Sequence, residues 1–341
     1  MASQEANGPS GPTFLCPTLP VFTRISYFFR LYGFKFLAET LFLIQRFRQS
    51  QPVSQKPTLT KSYPCRHRLE SRIFIPREHK NGELLPLYID IHGGGFAICD
   101  PRHDDEFCST FANRFNVLVV SINYSKTPSV AFPVPTHDVA AIARAVIEDD
   151  TLPVDPSRVA IGGFSAGGNL SASAVQLPAL KTMIKAVVLI YPVLDFSIPP
   201  EQKQAVWHKP GEKDRLIGIA KILDYGYIPS GQDLRDPLLS PSFARKEDLP
   251  EFVFCLGAED DMLANEARAF MCKLAGIDEL TEAEKYEFER GSYKWKMARG
   301  KGHGFTHKQI GKEEDEQKRV ESLNEAVGEI GEWLFRGPFG R

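Results

Sequence analysis

The sequence lacks paired cysteines, cofactor-binding motifs and any strong excess of charge. Its six cysteines are scattered along 341 residues without C-x-x-C spacing, and no phosphate-binding G-x-x-x-x-G-K motif occurs. The formal net charge is only −2 and no basic stripe stands out, so we expect no nucleic-acid partner. These absences predict a protein that uses neither a metal ion nor an organic cofactor.

Signals for export and for lipid attachment are also missing. Residues Met1 to Asn7 include no basic region followed by an apolar core, as a signal peptide would, and the end at Arg341 carries no lipidation or peroxisomal motif. Together with the scattered cysteines, this predicts a reduced, cytoplasmic setting. Residues 1–19 are rich in Gly, Pro and Ser, and we expect them to be disordered.

A serine between glycines is the most informative feature that the chain does contain. The motif G-x-S-x-G spans 163–167, with Ser165 at its centre. Residues 158–162 read as a strand and residues 168–175 can begin a helix, which is the context in which this motif presents a nucleophile. The sharp turn leaves no room for side chains on either flank, which explains both glycines. We therefore predict that Ser165 is a nucleophile.

A glycine run upstream of Ser165 predicts an oxyanion hole. His92-Gly93-Gly94-Gly95 follows directly after the apolar stretch 87–91. Glycines at the end of a strand allow backbone N–H groups to point at a developing negative charge, and H-G-G-G ahead of G-x-S-x-G is the signature of that arrangement. Ala166, the residue after the nucleophile, should supply a further N–H. We expect His92 to shape the glycine turn rather than to act as a base.

A nucleophilic serine needs a histidine base, and His303 is the best candidate. It lies between two glycines, after the alternating stretch 293–297, so it is not expected to pack in a core. His307 is the alternative. The two have H-x-x-x-H spacing, but a zinc pair would need a glutamate after the first histidine, where this chain has Gly304, so we expect no metal site.

The acid should precede the histidine in the chain. Three adjacent carboxylates, Glu259, Asp260 and Asp261, follow the apolar stretch 252–257, which reads as a buried strand. The residues by themselves leave the choice among the three open.

Taken together, these motifs resemble the hormone-sensitive-lipase branch of the α/β hydrolases, which includes arylacetamide deacetylases and bacterial esterases. The likeness covers roughly residues 60 to 335. It rests on His92-Gly93-Gly94-Gly95, Gly163-Phe164-Ser165-Ala166-Gly167-Gly168-Asn169, Asp236-Pro237-Leu238-Leu239-Ser240-Pro241, Asp261-Met262-Leu263 and His303-Gly304-Phe305. The resemblance implies Asp261 as the acid, because in that family the aspartate precedes a small or apolar residue and a leucine. It also implies Gly94 and Gly95 as the oxyanion donors of the glycine run.

The chain departs from the family pattern in two places. Phe164 stands before the serine, where the family usually has an acidic residue or threonine. Residues 123–129 read Asn-Tyr-Ser-Lys-Thr-Pro-Ser in place of the family's D-Y-R-L-A-P-E. The second change removes an arginine and a glutamate, and so alters the expected ion pairing near the pocket. Neither change touches the predicted triad.

Alternating strand and helix patterns predict a mostly parallel central sheet with helices on both faces. The resemblance implies that this is the α/β hydrolase fold with a helical cap. Strands are predicted near 70–76, 86–91, 117–122, 158–162, 186–191, 252–256 and 293–297, and helices near 104–115, 137–148, 168–178, 263–275 and 315–335. We assign 56–341 to the catalytic domain, with a cap insertion at about 196–235. The aromatic residues of that insertion are expected to pack within the cap rather than to contact a substrate.

Residues 20–55 are expected to form N-terminal cap helices. One helical face carries Phe22, Ile25, Phe29, Tyr32, Phe36, Leu43 and Phe47, and another carries Arg24, Lys35, Glu39 and Arg46. The charges interrupt any run long enough to cross a membrane. A position in the cap is favoured over contact of residues 21–48 with a membrane surface. Gly33 is expected to divide the segment into two helices.

The predicted function is hydrolysis of short acyl esters, of the acetyl type, of a small hydrophobic molecule by a Ser-His-Asp triad. The resemblance suggests a fungal-type member and a place in specialised-metabolite biosynthesis. Two alternatives stay open. An acyltransferase or thioesterase would use the same triad, since only the acceptor or the leaving group differs. A non-catalytic small-molecule receptor on the same fold is disfavoured by the presence of His303. The sequence does not predict the oligomeric state.

Overall fold

One central sheet organises the protein in the computed structural model, which describes residues 14–48, 52–308 and 316–340. Within these residues the sheet has nine strands, in the spatial order β1-β2-β4-β3-β5-β6-β7-β9-β8. The strands are β1 (Leu59–Ser62), β2 (Glu70–Phe74), β3 (Leu85–Ile91), β4 (Leu118–Ile122), β5 (Val154–Phe164), β6 (Ala186–Ile190), β7 (Phe252–Asp260), β8 (Glu287–Arg290) and β9 (Tyr293–Gly302). The strands from β4 to β9 in this order pair in parallel, and antiparallel pairs occur only at the two edges.

Helices cover both faces of the sheet. They are α1 (Val21–Arg48), α2 (Asp105–Phe115), α3 (Val134–Ile147), α4 (Ala166–Ala174), α5 (Pro200–Ala205), α6 (Ala220–Tyr227), α7 (Ala264–Ala275) and α8 (Glu316–Arg336). Apolar residues of α3, α4 and α7 join one hydrophobic core, and those of α2 and α8 join a second core on the opposite face. Because both faces are covered, β3 and β6 are buried along their whole length: all five residues of β6 are apolar, and among the seven of β3 the carboxylate Asp90 is the charged one.

The predicted fold class is confirmed, and the seven predicted strands and five predicted core helices are all present. The sequence missed β1 and β8. Both are short edge strands of four residues in which most side chains are exposed or half-buried. They therefore carry no continuous apolar run, and their Lys and Glu side chains are typical of protected sheet edges.

The N-terminal segment differs from the prediction in two ways. A single helix of 28 residues, α1, spans residues 21–48 and passes through Gly33 without a break. Disorder was expected up to residue 19, and residues 1–13 lie outside the described part of the chain. Residues 14–18, however, pair with the end of the cap insertion: Leu15 forms a β-bridge with Asp233, and Cys16 N–H donates to the carbonyl of Gln232 at 2.8 Å.

The apolar face of α1 that the sequence identified points away from the protein. We call Phe22, Ile25, Phe29, Tyr32, Phe36, Leu43 and Phe47 the outer stripe; all seven are exposed. The inward side of the helix is formed by other residues, of which Leu31 and Ala38 are buried. Lys35, expected on a charged face, instead reaches inward and donates to the carbonyls of Ala97 (2.6 Å) and Thr127 (2.7 Å).

The cap insertion at about 196–235, between β6 and β7, contains α5, α6 and a short 3₁₀ helix, Arg215–Gly218. Helix α1 packs on α6, where Leu31 lies against Gly226. Helices α1, α5 and α6 therefore lie together above the carboxyl ends of the parallel strands, and we refer to this layer as the cap. In the parts of the chain that the structure describes, no helix is both long and apolar enough to cross a membrane.

Candidate active site

Ser165 lies on a strained turn between β5 and α4. Its backbone has φ +53° and ψ −116°, a combination that a residue with a side chain rarely adopts, and its N–H donates to the carbonyl of Ile190 at 2.9 Å. The flanking glycines are needed for close packing, as the sequence indicated. A Cβ on Gly163 would lie 2.4 Å from the Ile91 oxygen, and one on Gly167 would lie 2.0 Å from the same atom.

His303 and Asp261 reach Ser165 from the ends of two neighbouring strands. His303 follows β9 and Asp261 follows β7, so both lie at the same edge of the sheet as the serine turn. Nδ1 of His303 lies 2.7 Å from Oδ2 of Asp261, and Nε2 lies 2.9 Å from Oγ of Ser165. Because Asp261 accepts from Nδ1, the neutral ring presents Nε2 as an acceptor for the serine hydroxyl.

The electrostatic environment of His303 favours the protonated ring. Burial lowers its pKa, but the charge of Asp261, the hydrogen bond to Asp261 and the charge of Asp214 raise it by more. The net result is a pKa above the usual value for histidine. Asp261 is itself 1% exposed, and its other oxygen, Oδ1, accepts the N–H of Leu263 at 2.9 Å, which anchors the carboxylate.

The three adjacent carboxylates, among which the sequence did not identify the acid, have different partners in the structure. Asp260 points to the cap insertion, where its two oxygens pair with Nε2 of His208 (2.8 Å) and Nζ of Lys209 (2.6 Å). Glu259 accepts the N–H of Gly300 at 2.7 Å. Asp261 is thus the carboxylate of this run that contacts His303, in agreement with the family resemblance.

The two other histidines considered as bases have different positions. His92 is buried with its ring stacked on Tyr124, 4.5 Å between centroids, and burial, with a smaller effect of the charge on Lys126, lowers its pKa well below the usual range. This fits the expected role in shaping the glycine turn. His307 bonds through Nε2 to Asp104 at 2.9 Å, and burial lowers its pKa to about 4. Its ring lies edge-on to Phe164 and does not occupy the position next to Ser165 that His303 holds.

The glycine run lies directly beside the serine. A Cβ on Gly93 would lie 3.6 Å from the Cβ of Ser165. Gly94 and Gly95 have positive φ, of +106° and +57°, which places their backbone in a region open to glycine. In the described residues, no loop or cap hydrogen bond uses the N–H of Gly94, Gly95 or Ala166. The three N–H groups predicted as oxyanion donors are therefore not engaged by backbone carbonyls there.

A cavity of about 360 Å³ opens above these residues and is mainly apolar. Its lining includes Ser165 and His303, together with Phe34 and Phe42 of α1 and Leu216, Ile219 and Leu223 of the cap insertion. This size is at the lower end of what sites for small organic molecules have. Trp207 and Tyr227 of the cap insertion do not line this cavity, but Tyr227 packs in the core and not within the cap as expected, since it stacks on Phe96 at 3.7 Å. Phe196 is an exception, since it does line the cavity.

Sequence reasoning missed Asp214, a buried residue of the cap insertion. Its Oδ2 accepts the N–H of Met262 at 3.0 Å, next to Asp261, and its Oδ1 accepts the N–H of Leu216. Burial, followed by the nearby charge of Asp261, raises its pKa. In the sequence this aspartate stands between Lys213 and Arg215, a pattern typical of an exposed loop, so no local signal marks it.

The two departures from the family pattern have local structural explanations. Phe164 is 1% exposed and packs edge-on against Phe107 at 5.0 Å, so an aromatic contact fills the place of the usual polar residue. In the 123–129 segment, Nζ of Lys126 donates to Asn123 Oδ1 (2.6 Å) and lies over the Tyr124 ring. Burial lowers the pKa of Lys126 to about 7.

Comparison with known protein families decides the identity of the fold. A family model described as alpha/beta hydrolase fold matches residues 88–290, more than half of the 341 residues. The chain belongs to the α/β hydrolase family. Within it, the chain falls in the hormone-sensitive-lipase-like branch that the sequence motifs indicated.

Curated relatives of this α/β hydrolase include two kinds of mammalian protein. Neutral cholesterol ester hydrolase 1 of Bos taurus is 39% identical over 147 residues, which are 40% of this chain and 36% of that protein. Arylacetamide deacetylase of Mus musculus is 32% identical over 193 residues, 53% of this chain and 48% of that protein. The aligned part thus spans about half or less of each relative.

Solved structures confirm the fold over nearly the whole chain. An esterase from the archaeon Pyrobaculum calidifontis superposes with a TM-score of 0.69 at 24% identity, covering 93% of this chain and 98% of that one. Carboxyl esterase 2 of the mycorrhizal fungus Tuber melanosporum gives a TM-score of 0.66 at 23% identity, covering 84% and 89%. At these identities the similarity establishes the fold and not the activity.

Proposed function

We propose that this α/β hydrolase is a carboxylic ester hydrolase in which Ser165, His303 and Asp261 are the catalytic triad. The observation that carries the proposal is the continuous hydrogen-bonded chain from Asp261 through His303 to Ser165 at the floor of an apolar cavity. Both kinds of curated relative bear the names of hydrolytic enzymes, a cholesterol ester hydrolase and an arylacetamide deacetylase, which supports the same reaction class.

The geometry supports a two-step acyl transfer. His303 Nε2 takes the proton of Ser165 as Oγ attacks the ester carbonyl, and Asp261 stabilises the imidazolium that forms. The N–H groups of Gly94, Gly95 and Ala166 receive the charge that develops on the carbonyl oxygen. His303 then gives its proton to the departing alcohol. In the second step the same ring activates water, which releases the acid from Ser165.

The substrate we propose is a short acyl ester, such as an acetate, of a small apolar alcohol or phenol. The cavity offers about 360 Å³ and an apolar lining from both α1 and the cap insertion. An apolar wall recognises hydrocarbon surface, and the polar groups close to Ser165 position the ester. A role in specialised-metabolite biosynthesis and a cytoplasmic location stay predictions from the sequence.

The proposal is tested by hydrolysis of p-nitrophenyl acetate and p-nitrophenyl octanoate. Wild type should turn over both, with higher kcat/KM for the acetate. Ser165→Ala should lose at least about 10³-fold in kcat. Ser157→Ala, at an exposed serine on the same strand as the turn, is the matched control and should keep wild-type rates. Turnover that survives in Ser165→Ala would contradict the assignment of the nucleophile.

Product analysis separates hydrolysis from acyl transfer. When a short primary alcohol competes with water, a hydrolase should release mainly free acid. A predominant new ester would instead identify an acyltransferase that uses the same acyl-enzyme. The receptor alternative predicts ligand binding with no turnover at all, an outcome that the contact between His303 and Ser165 argues against.

A further inference from the structure

Helix α1 leaves an apolar surface that the described part of the chain does not cover. In the outer stripe, Phe22, Phe29, Phe36 and Phe47 are 87%, 68%, 74% and 83% exposed. Their spacing keeps all of them on one side of a straight helix, together with Ile25, Tyr32 and Leu43. A contiguous exposed strip of aromatic and aliphatic side chains marks an interaction surface, whereas single exposed apolar residues do not.

The opposite side of α1 is firmly attached to the protein. Leu31 is completely buried against α6, Lys35 donates to two carbonyls, and Arg46 pairs with Asp100 at 2.7 Å. These contacts fix which side of the helix faces outward. The outer stripe is therefore held in place, and turning it inward would require breaking the buried contacts of the other side.

The charge of α1 indicates the chemistry of the partner. The helix carries five basic residues and one acidic residue, Glu39, although the whole chain has a net charge of −2. Arg24, Arg30 and Arg48 are exposed, whereas Lys35 and Arg46 contact the protein. Exposed basic residues on such a helix are attracted to anionic headgroups. An amphipathic helix of this kind lies in the interface plane and does not cross the bilayer.

A second copy of the chain fits this surface less well. A two-fold symmetric contact would place the outer stripe of one protomer on that of the other. It would then bring the basic residues of both helices together, which is unfavourable, whereas an anionic bilayer neutralises them.

We propose that the outer stripe of α1 binds the surface of a lipid bilayer that contains anionic lipids. Phe34 and Phe42, on the inward side of the same helix, line the cavity above Ser165. Docking through α1 thus brings the cavity close to the membrane, where apolar molecules concentrate. The docking itself does not depend on the reaction that the cavity supports.

Vesicle flotation of the full chain tests this proposal without any measurement of turnover. Wild type should float with phosphatidylcholine vesicles that contain phosphatidylserine, and less with pure phosphatidylcholine. Phe29→Ser/Phe36→Ser should weaken the partitioning at least about tenfold, because two phenyl rings no longer enter the interface. Leu84→Ser/Val206→Ser, which removes two exposed apolar side chains outside α1, is the matched control and should float like wild type.

Thermal unfolding and tryptophan emission show whether a loss of flotation comes from lost membrane contact or from misfolding. The thermal unfolding midpoints of both double variants should match wild type, since all four positions are exposed. Tryptophan emission of Phe36→Trp should shift to shorter wavelength only when anionic vesicles are present. Failure of the wild-type chain to float would overturn the proposal. So would dimerisation that Phe29→Ser/Phe36→Ser abolishes without any vesicle binding, which would make a second copy the partner.

Discussion

At the scale of single residues, two adjacent aspartates near His303 have different partners. Asp260 and Asp261 are adjacent in the chain, yet one pairs with His208 and Lys209 of the cap insertion and the other with His303. Asp260 is the last residue of β7, and Asp261 begins the loop that follows the strand, so the two side chains are held by different parts of the backbone. The two aspartates therefore form a natural pair of test and control.

We expect Asp261→Asn to lower kcat by about 10⁴-fold, because the amide favours the wrong tautomer of the His303 ring. Asp260→Asn should change kcat by less than about threefold, since a partly exposed ion pair contributes little. Steady-state kinetics of the two purified variants on p-nitrophenyl acetate provide the measurement. Equal losses in both variants would refute the role assigned to Asp261.

The raised pKa of His303 predicts a pH profile. The base must be neutral to accept the serine proton, so kcat/KM should fall as the pH drops through the pKa of His303 in the unliganded protein. Since the interaction with Asp261 raises this pKa, the midpoint should lie above the ordinary histidine value of about 6.5. In Asp261→Asn the residual kcat/KM should fall at a lower pH than in wild type, because the charge that raises the pKa of His303 is gone. A wild-type midpoint below the ordinary value would contradict the electrostatic account.

At the scale of secondary-structure elements, α1 has two apolar sides with different roles. Hydrophobic periodicity correctly predicted a helix, but the residues it singled out form the outer stripe, and the helix packs through Leu31 and Ala38 instead. Periodicity reports that a face is apolar and cannot report what covers it. Which side of α1 packs on the rest of the protein is decided by contacts between residues that are distant in the sequence.

Substitutions on the two sides of α1 should change the free energy of unfolding by different amounts. Leu31→Ala should lower the free energy of unfolding by about 2–5 kcal/mol, because it opens a cavity at the contact with α6. Phe36→Ala, on the outer stripe, should change it by no more than about 0.5 kcal/mol in the absence of membranes. Urea denaturation followed by circular dichroism compares the two. A larger loss in Phe36→Ala would mean that the outer stripe is buried in solution.

At the scale of the whole molecule, the cap is joined to the core by a few polar contacts close to the reacting groups. Asp260 pairs with Lys209, Asp214 accepts the N–H of Met262, and Lys203 pairs with Glu266 at 2.6 Å. Each contact connects the cap insertion to the end of β7 or to α7 just after it. The contacts of Asp214, Lys203 and Glu266 are buried and hold the cavity wall next to His303 and Asp261, whereas the pair of Asp260 with Lys209 is partly exposed.

Asp214→Ala should loosen the cap, because it leaves the N–H groups of Met262 and Leu216 without their acceptor. We expect the free energy of unfolding to fall by about 1–3 kcal/mol. Limited proteolysis within 196–235 should become faster than in wild type. Lys213→Ala, at the exposed neighbouring position, is the control and should leave both measurements unchanged. Unchanged proteolysis in Asp214→Ala would show that this contact does not hold the cap.

The sequence by itself determined the fold class, the strand order along the chain and the residues at the ends of the strands. These features are encoded locally: buried parallel strands are continuous apolar runs, and a glycine-flanked serine needs a tight turn. Ser165, His303 and the carboxylate run at 259–261 could therefore be identified from short motifs. The choice of Asp261 needed the family resemblance, since three adjacent carboxylates look alike in sequence.

Only the tertiary structure decided how distant segments meet. The contact of Asp214 with Met262 joins residues 48 positions apart, and that of Phe34 and Phe42 with the cavity joins α1 to a serine more than a hundred residues later. The outward direction of the outer stripe follows from the packing of Leu31 on α6. Such contacts depend on the closure of long loops and on shape complementarity between faces, neither of which leaves a local pattern in the chain.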